Sequence, residues 1–126
     1  MQIPENLKFT KDHEWVRVEG SEAVVGITEF AQQELGEVVF YDPPATGKTV
    51  KKGETLCVVE STKAASDVYA PISGKVKEAN TSLSNSPSDI NESSYEKGWL
   101  VRLSDIKAEE LDGLMSSAEY KKHIGV

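Results

Sequence analysis

The chain has 126 residues, 38% of them hydrophobic and 28% charged, a balance that suits one globular domain spanning 1–126 with its own core. Its 21 acidic residues against 14 basic leave a net charge of −7, and no basic run is longer than Lys51-Lys52 or Lys121-Lys122. That disfavours nucleic acid and anionic membranes as partners, because phosphate contacts need a basic patch, and no apolar stretch approaches the ~20 residues of a membrane span.

The single cysteine, Cys57, excludes an internal disulfide, and its apolar surroundings make it a small buried hydrophobe. The N-terminus, Met1-Gln-Ile-Pro-Glu-Asn, has neither the basic and apolar regions of a signal peptide nor the arginines of a transit peptide. The expectation is a soluble, cytoplasmic, monomeric protein.

In chain order, Leu7 to Thr10 alternates as an extended segment. His13 to Val18 and Ala23 to Ile27, joined by Glu19-Gly20-Ser21-Glu22, read as a β-hairpin. Thr28 is placed as the N-cap of a short helix over Glu29 to Leu35, with Phe30, Ala31 and Leu35 on one face and Gly36 at its end. Glu37 to Tyr41 is a strand that Pro43-Pro44 closes. Turn signals at Thr46-Gly47-Lys48 and Lys52-Gly53-Glu54 flank Thr49-Val50. Strands over Thr55 to Glu60 and Asp67 to Ala70 then enter and leave a small polar tip, Ser61-Thr62-Lys63-Ala64-Ala65-Ser66. Gly74 turns the chain into Lys75 to Ala79, and Gly47-Lys48-Thr49-Val50-Lys51 has a faint echo in Gly74-Lys75-Val76-Lys77.

The polar stretch Asn80 to Asn91 predicts a loop or broken helical turn, and Gly98 to Leu103 is the last strand. A helix capped by Ser104 or Asp105 is expected through Leu111. A second starts near Ser116, with Glu119 placed for a capping box. Many short strands with Gly and Pro punctuation predict an α+β fold, mostly β, with the terminal helices added to it.

The chemistry of an enzyme is hard to find. His13 and His123 share no metal-ligand spacing, and Gly47-Lys48-Thr49 fails as a phosphate loop because Asp42 stands where the first glycine belongs. A lysine displayed on a hairpin is ordinarily a solvated surface group, but it also suits covalent attachment of a group-carrying cofactor, whose own chemistry then does the work. The small residues around Lys63 give an attaching enzyme a well-defined protrusion.

Several ordered motifs carry a resemblance: His13-Glu14-Trp15-Val16, Val25-Gly26-Ile27-Thr28, Gln33-Glu34-Leu35-Gly36 with Val38-Val39-Phe40, and Val59-Glu60-Ser61 with Lys63-Ala64. They continue in Ser66-Asp67-Val68-Tyr69-Ala70-Pro71 and Gly98-Trp99-Leu100. Over residues 7 to 103 the chain resembles the H protein of the glycine cleavage system. The resemblance implies a barrel-sandwich hybrid of the lipoyl/biotinyl-carrier kind, no catalysis of its own, and lipoate in amide linkage on Lys63. It implies that Glu60, three residues before, and Gly74, eleven after, matter to recognition by a lipoate ligase or a lipoyl/octanoyl transferase.

The implied partners are a pyridoxal-phosphate glycine decarboxylase (P protein), a tetrahydrofolate-dependent aminomethyltransferase (T protein) and a dihydrolipoyl dehydrogenase (L protein). The first loads an aminomethyl group onto the dithiolane, the second removes it, and the third reoxidises the dithiol by thiol–disulfide exchange. By family position Glu14 and Asp67 hold the aminomethyl ammonium in a water-excluding cavity, with Asp12 adding to an acidic rim. Ser94 stands where many relatives have proline, so that loop is expected to be looser.

Two neighbouring carrier types fit less well. Biotin carriers favour methionine on both sides of the lysine, where this chain has Thr62 and Ala64, and acyltransferase lipoyl domains usually carry Asp before it and lack the His13-Glu14-Trp15 hairpin. A carrier that relays lipoate to other proteins would keep Lys63 and its hairpin and is an alternative reading of the same residues.

Overall fold

The computed structural model describes all residues from Met1 to Val126, in the order β1 (Lys8–Phe9), β2 (Glu14–Glu19), β3 (Glu22–Ile27), α1 (Glu29–Leu35), β4 (Val38–Asp42), β5 (Thr49–Val50), β6 (Thr55–Ser61), β7 (Ala65–Tyr69), β8 (Gly74–Ala79), α2 (Asp89–Glu92), β9 (Val101–Ser104) and α3 (Ser117–Ile124). Short 3-10 helices cover Thr81–Ser84 and Ala108–Gly113. The strands form two sheets, one of six in the order β1-β2-β3-β9-β8-β5 and one of three in the order β4-β6-β7. All pairings are antiparallel.

Alternation in the strands builds two cores. Val16, Ala23, Val25, Val76, Val101 and Leu103 of the larger sheet share a buried cluster with Val38, Tyr41, Leu56, Cys57, Val59 and Val68 of the smaller one. The two sheets are thus sandwiched over one core, the β-dominated α+β architecture expected. Trp15 and Val24, pointing the other way from β2 and β3, join Ile3, Leu7, Phe9, Tyr95 and Tyr120 in a second cluster. Gly26 is what lets the Trp15 indole lie flat there: a Cβ on Gly26 would sit 2.5 Å from the ring.

The ends of the chain are bolted to this frame by local chemistry. Thr28 caps α1 by accepting the Ala31 N–H at 3.1 Å, and Ser116 and Glu119 close the capping box of α3. Tyr120 on α3 stacks on Phe9 with centroids 4.7 Å apart, and its hydroxyl lies 2.8 Å from Thr28 Oγ1 and 2.9 Å from His13 Nδ1.

Two expectations change. The helix placed from Ser104 or Asp105 to Leu111 is instead a 3-10 helix over Ala108–Gly113. Asp105 adopts a left-handed φ of 51°, which stops a helix there. The Glu110 carboxylate is spent on Ser73, accepting its N–H at 2.6 Å and its hydroxyl at 3.1 Å. Ser94 is buried and firmly held rather than loose: its hydroxyl donates to the Ile90 carbonyl at 2.8 Å, and its own carbonyl accepts the Trp15 indole N–H at 3.0 Å.

The echo of Gly47 to Lys51 in Gly74 to Lys77 has a structural meaning. The two segments are β5 and β8, paired with Thr49 opposite Lys75 and Val50 opposite Gly74. Between them the chain leaves the six-stranded sheet, makes the β6–β7 hairpin in the other sheet, and returns. The base of the Lys63 hairpin is therefore clasped by the pairing of the strands on either side of it.

Candidate functional site

The β6–β7 hairpin narrows to a turn in which the Ser61 N–H donates to the Ala64 carbonyl at 2.8 Å, leaving Thr62 and Lys63 at the tip. Ser61 organises it. Its hydroxyl oxygen accepts the N–H groups of Lys63 at 3.1 Å and Ala64 at 3.2 Å, while its proton reaches the Ala64 carbonyl at 3.2 Å. A short side chain bonding its own turn is the ordinary means of stiffening a loop. The tip also docks: the Thr62 N–H donates to the Glu37 carbonyl at 3.0 Å.

Lys63 is exposed and belongs to none of the molecule's ion pairs. Its stem passes over Gly36, where a Cβ would meet Lys63 Cε at 3.4 Å. Gly36 holds φ at 86° after the last turn of α1, a conformation that glycine adopts without cost. Sequence reasoning missed the residue that fixes this turn. Asn91, in the polar stretch, donates to the Gly36 carbonyl at 2.8 Å and to Gln32 Oε1 at 2.9 Å, and accepts the Val38 N–H at 2.9 Å. An asparagine in a serine-rich loop carries no sequence signal of such a role.

Beside the lysine, α1 and the β6–β7 sheet enclose a cavity of about 240 Å³. Ile27, Ala31, Leu35, Val59 and Val68 line it with apolar side chains, and Asp12, His13, Glu14, Glu34, Ser66 and Asp67 with polar ones. The structure thus brings Glu14 and Asp67 together, one from β2 and one from β7, and adds Glu34 and His13. Leu35 lines the cavity and the Lys63 stem passes over the adjoining Gly36, which sets the lysine beside the cavity.

Glu14 is buried, at 3% exposure. One of its oxygens accepts the Thr10 hydroxyl at 2.5 Å and the other the Tyr69 N–H at 3.3 Å, joining the two sheets. Burial is the main influence on its carboxyl, outweighing both hydrogen bonds, and lifts its pKa from 4.5 to about 6. Asp67 is exposed at the rim. His13 has a left-handed φ of 73°, and burial, then the nearby His123, push its imidazolium pKa down, which favours the neutral ring.

Glu14 and Asp12 also border a second cavity of about 430 Å³ that runs along Thr10, Lys11, Lys52, Tyr69 and Met115. The larger volume does not make it the better site for a group on Lys63, because Leu35, next to the Gly36 that the lysine stem passes over, lines the smaller one.

Glu60 and Gly74 do not line the 240 Å³ cavity. Glu60 lies on β6 opposite Phe40 and Ala65. Gly74 is buried in the other sheet, where a Cβ would come within 3.0 Å of the Ser104 carbonyl and 3.3 Å of Leu103 Cβ. Cys57 is buried, and desolvation raises its thiol pKa far above the ordinary range, so it supplies no reactive thiolate.

The chemistry of these residues suits a lipoyl group: a free amine for the amide, apolar walls for a dithiolane and its hydrocarbon stem, and carboxylates for a cationic cargo. Comparison with known proteins points the same way. Residues 7–125 match the family model for glycine cleavage H-protein. A glycine cleavage system H protein from Anaeromyxobacter sp. (strain K) is 52% identical over 124 residues, covering 98% of this chain and 97% of the relative. One from Coprothermobacter proteolyticus is 53% identical over 128 residues, covering 99% of each. The crystal structure of a glycine cleavage system H protein from Mycobacterium marinum superimposes with a TM-score of 0.87 at 36% identity, over 98% of this chain and 99% of that one. With a family match over residues 7–125, identity of 52% and 53% to two relatives over nearly the full length and a shared fold, the chain belongs to the glycine cleavage H-protein family, the non-catalytic lipoyl carriers of the glycine cleavage system.

Proposed function

We propose that Lys63 carries lipoate in amide linkage and that the chain shuttles an aminomethyl group and reducing equivalents among the P, T and L proteins of glycine cleavage. The observation that carries this is an exposed, unpaired amine on a stiff two-residue tip, beside a cavity lined by apolar side chains and by carboxylates. When bound, lipoate supplies a dithiolane that accepts the cargo and two electrons. The chain's residues bind and protect.

The apolar walls from Ile27, Leu35, Val59 and Val68 would exclude water from the arm's end. Glu14 and Asp67 would take the cargo's ammonium, with Glu34 and Asp12 adding negative potential. Glu14 is well suited to this: ionising a buried carboxyl is costly, and an entering cation recovers that cost. The neutral His13 ring, tied to Tyr120 through Nδ1, adds no competing charge.

Glu60 and Gly74 divide the recognition of the hairpin by a lipoate ligase or a lipoyl/octanoyl transferase. Glu60 is half-buried on the hairpin itself, where an enzyme can reach it. Gly74 is buried, so it acts by allowing the β5–β8 clasp to close rather than by being touched. The partners share a soluble, cytoplasmic compartment with a monomeric carrier; no helix is long and apolar enough to cross a membrane.

The test is glycine–bicarbonate exchange with purified decarboxylase and the lipoylated chain. Exchange that needs both the lipoyl group and Lys63 supports the shuttle. Lipoylation without exchange would move the function to a lipoate relay.

A further inference from the structure

Strand β4 carries an irregularity that sets its exposed face apart. Its register against β6 shifts between Val38 and Phe40, a bulge that leaves Val39 without a partner. Val38 and Tyr41 stay buried, while the two apolar residues between them both turn outward, Val39 at 50% exposure and Phe40 at 51%. Strict alternation would have sent one of them into the core. The Val38 N–H, bonded to Asn91 instead of the sheet, holds the bulge open.

The ridge lies beside the lysine hairpin. Val38 faces Ser61 and Phe40 faces Glu60, the two strand positions just before the Thr62–Lys63 tip. Around it stand Glu37 and Asp42 along the chain and Glu60 opposite Phe40, none of which is in an ion pair. Every ion pair in the molecule joins residues of the other sheet: Arg17 to Glu19, Lys77 to Glu22, and Arg102 to both glutamates. The strands of the smaller sheet hold no lysine or arginine. An exposed apolar ridge flanked by unpaired carboxylates is complementary to an apolar pocket rimmed by Lys and Arg.

We infer that the Val39–Phe40 ridge is the docking surface for the enzyme that acylates Lys63, which grips Phe40 in an apolar pocket and meets Glu37, Asp42 and Glu60 with basic residues. This rests on the carrier function proposed above. It selects the acylating enzyme because that enzyme must bring its own active site to Nζ and so must cover the base of the tip. A protein that works on the far end of an attached arm can stand off by the arm's length.

The experiment is steady-state lipoylation of the unmodified chain by a purified lipoate–protein ligase with lipoate and ATP, followed by intact mass. Val39→Ser combined with Phe40→Ser should lower kcat/KM roughly tenfold or more, through KM, with kcat within about twofold, as expected when binding alone is lost. Phe40→Leu, which keeps an apolar contact, should recover most of the rate. Asp42→Asn should cost less and flatten the fall of kcat/KM with added salt. Val18→Ser, at an exposed apolar position on the other sheet, should change nothing.

Wild-type kinetics in the double variant would overturn the inference while leaving the carrier function intact. So would normal acylation followed by failed glycine–bicarbonate exchange, which would assign the ridge to the decarboxylase. A wild-type chain that accepts no lipoyl group would instead contradict the carrier function itself, and the inference with it.

Discussion

The two sheets of this molecule are built from similar strands and do different work. The six-stranded sheet is buried on both faces at β2 and β3, where Trp15 and Val24 point one way and Val16 and Val25 the other. It holds all of the molecule's ion pairs, formed by Arg17, Arg102, Lys77, Glu19 and Glu22. The three-stranded sheet gives one face to the core and turns the other outward with Val39, Phe40 and unpaired carboxylates, and it ends in the Lys63 tip. A sheet that carries the ion pairs and is buried on both faces is a scaffold, whereas one that holds no ion pair and turns two adjacent apolar side chains outward is made to meet something else.

That contrast can be broken by substitution. Leu103→Ala, in β9 between β3 and β8, removes a fully buried side chain from the scaffold and should cost about 3 kcal/mol in a denaturant titration. Phe40→Ser on the other sheet should stay within about 0.5 kcal/mol of wild type in the same titration. Equal losses at the two sites would erase the distinction between scaffold and display.

Glu14 links the sheets and makes their junction sensitive to pH. Its folded pKa of about 6 lies above the unfolded 4.5, so the folded chain favours the neutral carboxyl. The associated stability is fully present below pH 4.5 and is lost as pH rises through about 6, by up to about 2 kcal/mol. Comparing Glu14→Gln with wild type cancels other titrating groups. The variant should gain about 2 kcal/mol relative to wild type on going from about pH 4 to about pH 8. A difference independent of pH would mean that Glu14 ionises without cost. In the loaded protein Glu14→Ala should speed loss of the aminomethyl group, and an unchanged rate would remove Glu14 from cargo protection.

The smallest effect concerns the tip. Ser61→Ala deletes the acceptor for two N–H groups and a donor, and should cost about 1 kcal/mol of stability. It should also slow acylation of Lys63 by loosening the turn. Unchanged acylation would show that the backbone pairing at Ser61 and Ala64 is enough to present the lysine.

What could be read from the sequence was local. The Thr28 cap, the Ser116–Glu119 capping box, the strands flanking Lys63 and the buried Cys57 each follow from a few neighbouring residues. The motif order also indicated the family, and with it the pairing of Glu14 and Asp67 on one cavity. What was not legible depends on distant partners. The clasp of β5 on β8 joins segments on both sides of the hairpin, and the space beside Gly74 is filled by Ser104, Ile106 and Leu103.

Glu34 and His13 meet at the cavity because α1 packs beside His13, whose ring lies 4.7 Å from that of Phe30, and the Asn91 clamp spans 53 residues to Val38. The bulge at Val39 escapes a pattern reading for a related reason. The run Val38-Val39-Phe40-Tyr41 is uniformly apolar, so nothing in it says which residues face out.

The most direct test of the account is the intact mass of the chain after incubation with lipoate, ATP and lipoate–protein ligase, beside Lys63→Arg. The account predicts a single lipoyl increment on wild type and none on Lys63→Arg. An increment that persists in Lys63→Arg, or none on wild type, would contradict it.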